Sequence, residues 1–122
     1  MKNINRNSPN CDEYKSDSFI GLLHEKCVWS DDEYFKLDKE LYQLAEKYHG
    51  ADNLPRELVW RLMKIFNTVM SYFVSHFDLN DGFELKHLEN DEVYIRKERF
   101  CLVIEGLFQG VMPEVRFFNY EE

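Results

Sequence analysis

Residues 75–92, SHFDLNDGFELKHLENDE, hold a dense set of groups that could do chemistry. Six carboxylates (Asp78, Asp81, Glu84, Glu89, Asp91 and Glu92) and one lysine lie from 78 to 92, with His76 before them and His87 among them. Such a set could chelate calcium, hold a transition metal, or divide acid and base roles. Calcium fails on register. With Asp78 as the first ligand of a helix–loop–helix site, Asn80 falls third and Glu89 twelfth. Gly82 then stands fifth, where a side-chain oxygen is needed, and Phe83 sixth, where the sharp turn needs glycine. Placing Gly82 sixth makes Phe77 the first ligand, which has no oxygen to give. Asn80-Asp-Gly82 reads instead as a turn, with the asparagine or the glycine expected to take the positive φ.

A transition metal fails on number. Zinc needs three or four converging ligands. His76 and His87 are eleven positions apart, and no further His or Cys has a helpful spacing. His24 and His49 stand alone, and His76 lies on an apolar stripe, where it reads as a hydrogen-bonded core residue. A Cys101–His76 dyad is conceivable because both face inward, but a cysteine in apolar surroundings keeps a raised pKa and is inert. Asp78 and Asp81 could share acid and base work, yet acids in an exposed loop are ordinarily solvated. No glycine-rich phosphate loop or nucleophile elbow is present. The expectation is a protein that is not an enzyme, with no catalytic residue, no metal ligand and no cofactor. What is left is a surface. Either Phe83 is an aromatic anchor rimmed by carboxylates, suited to a basic partner, or it packs under the loop while the acids solvate and cap it.

The elements flanking this loop read as helices. Ser30-Asp-Asp-Glu33 is a start signal, with Ser30 accepting from the third amide and Glu33 reaching back. Tyr34, Leu37, Leu41, Leu44, Ala45 and Tyr48 then form one face, ending at Gly50. Lys36, Lys39, Glu40, Gln43, Glu46 and Lys47 form the face expected to meet solvent. A second helix, about 55–77, is capped near Asp52 or Asn53 and has Pro55 in its first turn. Leu58, Leu62, Ile65, Phe66, Val69, Phe73 and His76 make its stripe, and Val59, Met63, Met70 and Tyr72 widen it. That breadth predicts a central spine. A third helix begins at Asn90-Asp-Glu, carries Val93, Phe100, Cys101, Ile104, Leu107 and Phe108 on one side, and ends by Gly110 and Pro113. Gly106 inside it marks a close helix approach or an early break.

Residues 1–17 read as a loose N-terminal arm or irregular strap, and 19–23 as a short helix or extended segment. The tail VRFFNYEE reads as a short strand or strap. The fold class is therefore all-α, a small helical bundle of three to five helices. The alternative is α+β, with a short strand near 93–104 or 114–120. The 122 residues are read as a single domain, 1–122. Twenty-three acids against fifteen Lys and Arg give a net charge of −8. That field disfavours nucleic acid and fits a neutral or basic protein partner, although such a charge also simply keeps a protein soluble. Three well-separated cysteines without a CxxC pair fit a reduced, cytoplasmic setting. The first residues have no apolar signal core, and no apolar run is long enough for a membrane span.

The stretch from Ser75 to Pro113 resembles the C-terminal half of small immunity proteins of bacterial contact-dependent growth inhibition, or polymorphic toxin, systems. The matching features are Ser75-His-Phe-Asp78, Asn80-Asp-Gly-Phe83, Glu98-Arg-Phe100 and Glu105-Gly-Leu-Phe-Gln-Gly110. The resemblance implies a helical cytoplasmic protein that binds the C-terminal domain of a cognate toxin one-to-one, usually over its active site. Relatives of this pattern oppose ribonucleases, which are basic. Contact residues do not transfer between relatives, so the expected partner-binding set comes from the residues themselves. It is Asp78, Asp81, Phe83, Glu84 and Glu89, with Asp31, Asp32 and Tyr34 as a second patch. Arg99 is expected to pair with Glu105 or a loop acid. The competing reading is a generic acidic interaction or regulatory module without a toxin partner.

Overall fold

The computed structural model describes residues 1–114. Among them are five helices and no strand: α1 (Lys2–Arg6), α2 (Phe19–Lys26), α3 (Asp31–Lys47), α4 (Arg56–Phe77) and α5 (Asn90–Gln109). The all-α expectation holds, and the alternative strand at 93–104 is helix. The alternative strand near 114–120 lies outside the described residues from 115 onward.

Local signals set the helix ends, with instructive departures. Ser30 accepts from Glu33 N at 3.2 Å, as its type predicts. Glu33 does not reach back, because its carboxylate is held by Arg6 at 3.1 Å and Lys36 at 2.7 Å. The N-cap of α4 is Pro55, with no side-chain cap, rather than Asp52 or Asn53. The N-cap of α5 is Glu89, closing a capping box with Glu92. Gly110 ends α5 at φ 93°, where a side chain would be strained.

Helices α3, α4 and α5 form the frame. Asp31 meets Arg96, and Asp38 meets Arg99, so α3 and α5 run the same way. Phe77 stacks on Tyr94 at 4.5 Å and Phe66 on Phe100 at 5.8 Å, so α4 runs against α5. An aromatic cluster of Phe19, Trp29, Tyr34 and Phe73 fills the centre, each 0–3% exposed. Edge-to-face pairs such as Phe19–Trp29, at 4.6 Å and 76°, add directional preference to that burial.

The N-terminal segment is not a loose arm. Ile4 is fully buried, and Asn7, Ser8 and Ser18 are nearly so. A five-residue helix has no stability of its own. Glu40 of α3 supplies what α1 lacks, accepting from Asn3 N at 3.1 Å and Ile4 N at 2.9 Å. This overturns the assignment of Glu40 to solvent: its carboxylate caps the helix lying across it. Asn7 Oδ1 then accepts from Ile20 N at 2.8 Å and ties α1 to α2.

The three grooves of the α3–α4–α5 frame have different fates. Helices α1 and α2 pack on α3 and α4. The chain after α5 folds back over Gly106 and returns to α3, where Tyr42 donates to the Pro113 carbonyl at 2.6 Å. The outer groove between α4 and α5 is left open among the described residues. The expected spine, α4, is therefore peripheral on one side, and its extra apolar width faces outward.

Candidate protein-interaction surface

The loop at 78–89 is built largely from the groups that suggested chemistry. Asp78 Oδ1 accepts from Asn80 N, and Asp81 Oδ1 from Phe83 N, each at 2.9 Å. These are side-chain turns, the ordinary use of Asp at a bend. His76 bridges the two ends of the loop. Its Nδ1 accepts from Leu85 N at 3.0 Å, so Nε2 carries the hydrogen and donates to Asn90 Oδ1 at 2.9 Å. His87 Nε2 lies 3.2 Å from Trp29 N and 3.0 Å from Trp29 O, which joins the loop to the start of α3. Leu85 is 1% exposed and plugs the core from below. No cluster of three metal-ligating side chains exists among the described residues.

The expected contact residues divide accordingly. Asp78, Asp81 and Glu84 are exposed, and Glu84 has no partner among the described residues. Asp78 and Asp81 each commit one oxygen to a turn and leave the other to solvent. Glu89 serves first as the cap of α5. Phe83 is half-buried against Tyr72, ring centroids 4.9 Å apart, which favours its reading as packing under the loop. Asp31 is gripped by Arg96 through two hydrogen bonds of 3.0 and 2.8 Å and also accepts from the Trp29 indole at 2.9 Å. Asp32 is exposed. Tyr34 is 0% exposed and belongs to the core, so it leaves the contact set. The acids of both patches share one end of the bundle, because Arg96–Asp31 and His87–Trp29 bring the α3 start beside the loop.

The surface that sequence reading missed is the open α4–α5 groove. Met63, Phe66 and Met70 from α4 face Cys101, Leu102 and Phe108 from α5. Toward the acidic end the groove continues through Val74, Phe77 and Tyr94 to Asp78. Met63, Val74, Tyr94, Ile95, Leu102 and Phe108 are each 36–68% exposed. Its charged lining is Asp78, Glu98 and Glu105 against Lys97, so the groove shares the acidic sign of the chain. A contiguous apolar strip with a charged rim is the composition of a protein-binding face. The available signal was the excess apolar width of α4 together with Cys101 and Phe108, which lie off the Phe100–Ile104–Leu107 line. Burial holds the Cys101 thiol above its usual range, with Glu105 adding to the effect and Lys97 opposing it.

A family model described as Immunity protein 41 matches residues 6–118. The chain belongs to the Immunity protein 41 family. That membership makes it an immunity protein of a polymorphic toxin system, as the Ser75–Pro113 resemblance implied. No curated protein and no solved structure matches the chain. No helix among the described residues is long and apolar enough to cross a membrane.

Proposed function

We propose that this immunity protein neutralises the C-terminal domain of a cognate toxin by binding it one-to-one in the cytoplasm and occluding its active site. The observation that supports the reading is the open α4–α5 face, where one hollow holds Met63, Phe66, Leu102 and Phe108 and a second holds Val74, Phe77 and Tyr94 and reaches Asp78. Tyr94, Leu102 and Phe108 supply desolvated anchors, which set the off-rate. Asp78, Asp81, Glu84 and Asp32 supply the long-range field, which sets the on-rate. A net charge of −8 suits a basic target. We take that target to be a nuclease, whose phosphate-binding Arg and Lys residues the carboxylates would meet in place of the RNA backbone. Delivery by a contact-dependent inhibition protein completes the proposal.

The test is co-expression of the chain with the C-terminal domain of the toxin encoded beside it. The expected result is an equimolar complex in which toxin activity is lost, and in which Leu102→Ala or Tyr94→Ala weakens binding at least ~30-fold. A neighbour that encodes no toxin, or a toxin domain that does not co-purify, favours the generic interaction module instead.

A further inference from the structure

The outer side of α5 is left largely uncovered among the described residues. Tyr94 and Phe108 stand toward its two ends, 56% and 39% exposed, with the half-buried Cys101 midway between them. Lys97 lies four positions before Cys101 and Glu105 four after it, while Tyr94 and Phe108 lie seven before and seven after. Offsets of four and seven keep all five on one face of a helix. The stripe thus reads aromatic, base, cysteine, acid, aromatic. Its spacing is symmetric about Cys101 and its charge is reversed across it. Both charges lie close enough to act on the Cys101 thiol, in opposite senses.

Lys97 and Glu105 find no counter-charge on their own helix. Three and four positions from Lys97 stand Val93, Tyr94, Phe100 and Cys101, and from Glu105 stand Cys101, Leu102, Phe108 and Gln109. Neither enters an ion pair among the described residues. Leu102 and, from α4, Met63 and Val74 flank the stripe and are themselves exposed. A face of this kind is self-complementary. Turned about a twofold axis through Cys101, an identical helix running the other way sets Lys97 opposite Glu105 twice and Tyr94 opposite Phe108 twice. A parallel helix would instead set Lys97 against Lys97. Packed helix axes lie about 8–10 Å apart, which brings both kinds of pair within reach.

We propose that, in the absence of toxin, two copies of this chain pair through this face, with their α5 helices antiparallel about Cys101. This goes beyond the toxin-binding reading, because it names what covers the apolar face before a toxin arrives and makes toxin and second copy compete for it. Glu98, exposed beside the stripe, is left to solvent at the rim. The pairing is compatible with a charge of −8 on each copy. The acidic loop leads into the start of α5, so antiparallel helices carry the two loops to opposite ends of the pair. A helix of 20 residues is ~30 Å long, more than three Debye lengths at physiological salt, so the two acidic ends scarcely repel.

Sedimentation equilibrium of the whole chain, alone and with a reductant present, tests the pairing. The expected result is a reversible monomer–dimer equilibrium with a Kd on the order of tens of micromolar. Lys97→Glu and Glu105→Lys should each raise that Kd ~10-fold or more, and the two together should return it to within ~3-fold of the parent. The pattern separates register from net charge. The first change makes the chain more negative and the second less so, so a general charge effect would move the two Kd values in opposite directions. Opposite shifts, no rescue in the double variant, or a chain that stays monomeric to ~1 mM would overturn the pairing. The last result, with toxin binding still sensitive to Leu102→Ala, would leave this face to the toxin alone.

Discussion

Arg99 and Asp38 form a buried ion pair between α5 and α3. Both are essentially buried, and two hydrogen bonds of 2.9 and 3.0 Å join them. The guanidinium also donates to the Glu114 carbonyl at 3.1 Å and lies 5.3 Å from the Tyr42 ring centroid. Burial opposes its charge, but Asp38, joined by Tyr42 and Tyr34, outweighs this and the Arg99 pKa is raised. Removing one partner strands the other, so Asp38→Ala should cost ~3–5 kcal/mol in a denaturant titration. A loss under ~1 kcal/mol would show the pair to be incidental. Sequence could flag Arg99 but not its partner. Glu105 and the loop acids are near in the chain, whereas Asp38 is 61 residues away and looks like one more surface acid of α3.

Tyr42 gives this scale its pH dependence. Burial, followed by the Asp38 charge against the opposing Arg99, raises its hydroxyl pKa above the usual range. Burial does the same for Tyr14 and Tyr72. The folded state thus favours the neutral phenol, which alone can donate to the Pro113 carbonyl. This stability is fully present below the ordinary tyrosine pKa of ~10 and is lost as pH rises through the higher folded values. Unfolding followed from pH 8 to 11 should show stability declining only at the alkaline end, with Tyr42→Phe declining less steeply.

At the scale of elements, Gly106 decides between two opposite expectations. Helix propensity alone predicts that Gly106→Ala stabilises α5 by ~1 kcal/mol. The returning chain predicts the reverse, because an added Cβ would sit 2.7 Å from the Val111 carbonyl oxygen and 3.0 Å from Met112 Sδ. The strap must then move, and Tyr42–Pro113 and Arg99–Glu114 with it. Gly106→Ala is expected to lose ~1–3 kcal/mol in thermal or chemical unfolding. A gain in stability would mean that the strap yields freely. Sequence reading of Gly106 left a close helix approach and an early break open; neither is found, because the approach is made by the returning chain at Val111 and Met112.

The two sides of α5 make a second test at this scale. Phe100 is fully buried between Tyr34 and Phe66, whereas Leu102, two positions on, is 36% exposed on the open groove. Phe100→Ala should cost ~3–5 kcal/mol. Leu102→Ala should stay within ~1 kcal/mol of the parent while weakening the toxin complex. Equal damage to stability from both would mean that the groove is closed core and not an interface.

For the whole molecule, charge and shape are arranged separately. The loop acids and those at the start of α3 share one end, and the exposed apolar residues of α4 and α5 run along the side. Charge should therefore govern association more than dissociation. Asp81→Lys with Glu84→Lys is expected to lower the on-rate for the toxin domain ~10-fold or more at low salt and to flatten its salt dependence, with the off-rate changed little. Stopped-flow binding at two ionic strengths checks this. An unchanged on-rate would remove the acidic end from the encounter.

By itself the sequence determined the three long helices and a bend between the second and third, although the turn closes from Asp78 to Asp81 and neither Asn80 nor Gly82 takes a positive φ. Those properties follow from period, caps and turn chemistry, which act within a few residues. It also carried the resemblance that the family match over residues 6–118 bears out. Tertiary structure alone decided that Glu40 caps α1, that Asp38 holds Arg99, that Tyr34 is core, and that His76 and His87 serve as clasps. It also decided which groove stays open. A helical stripe shows that a face is apolar but not what covers it, and the coverage here depends on contacts made across 31 to 71 residues of chain.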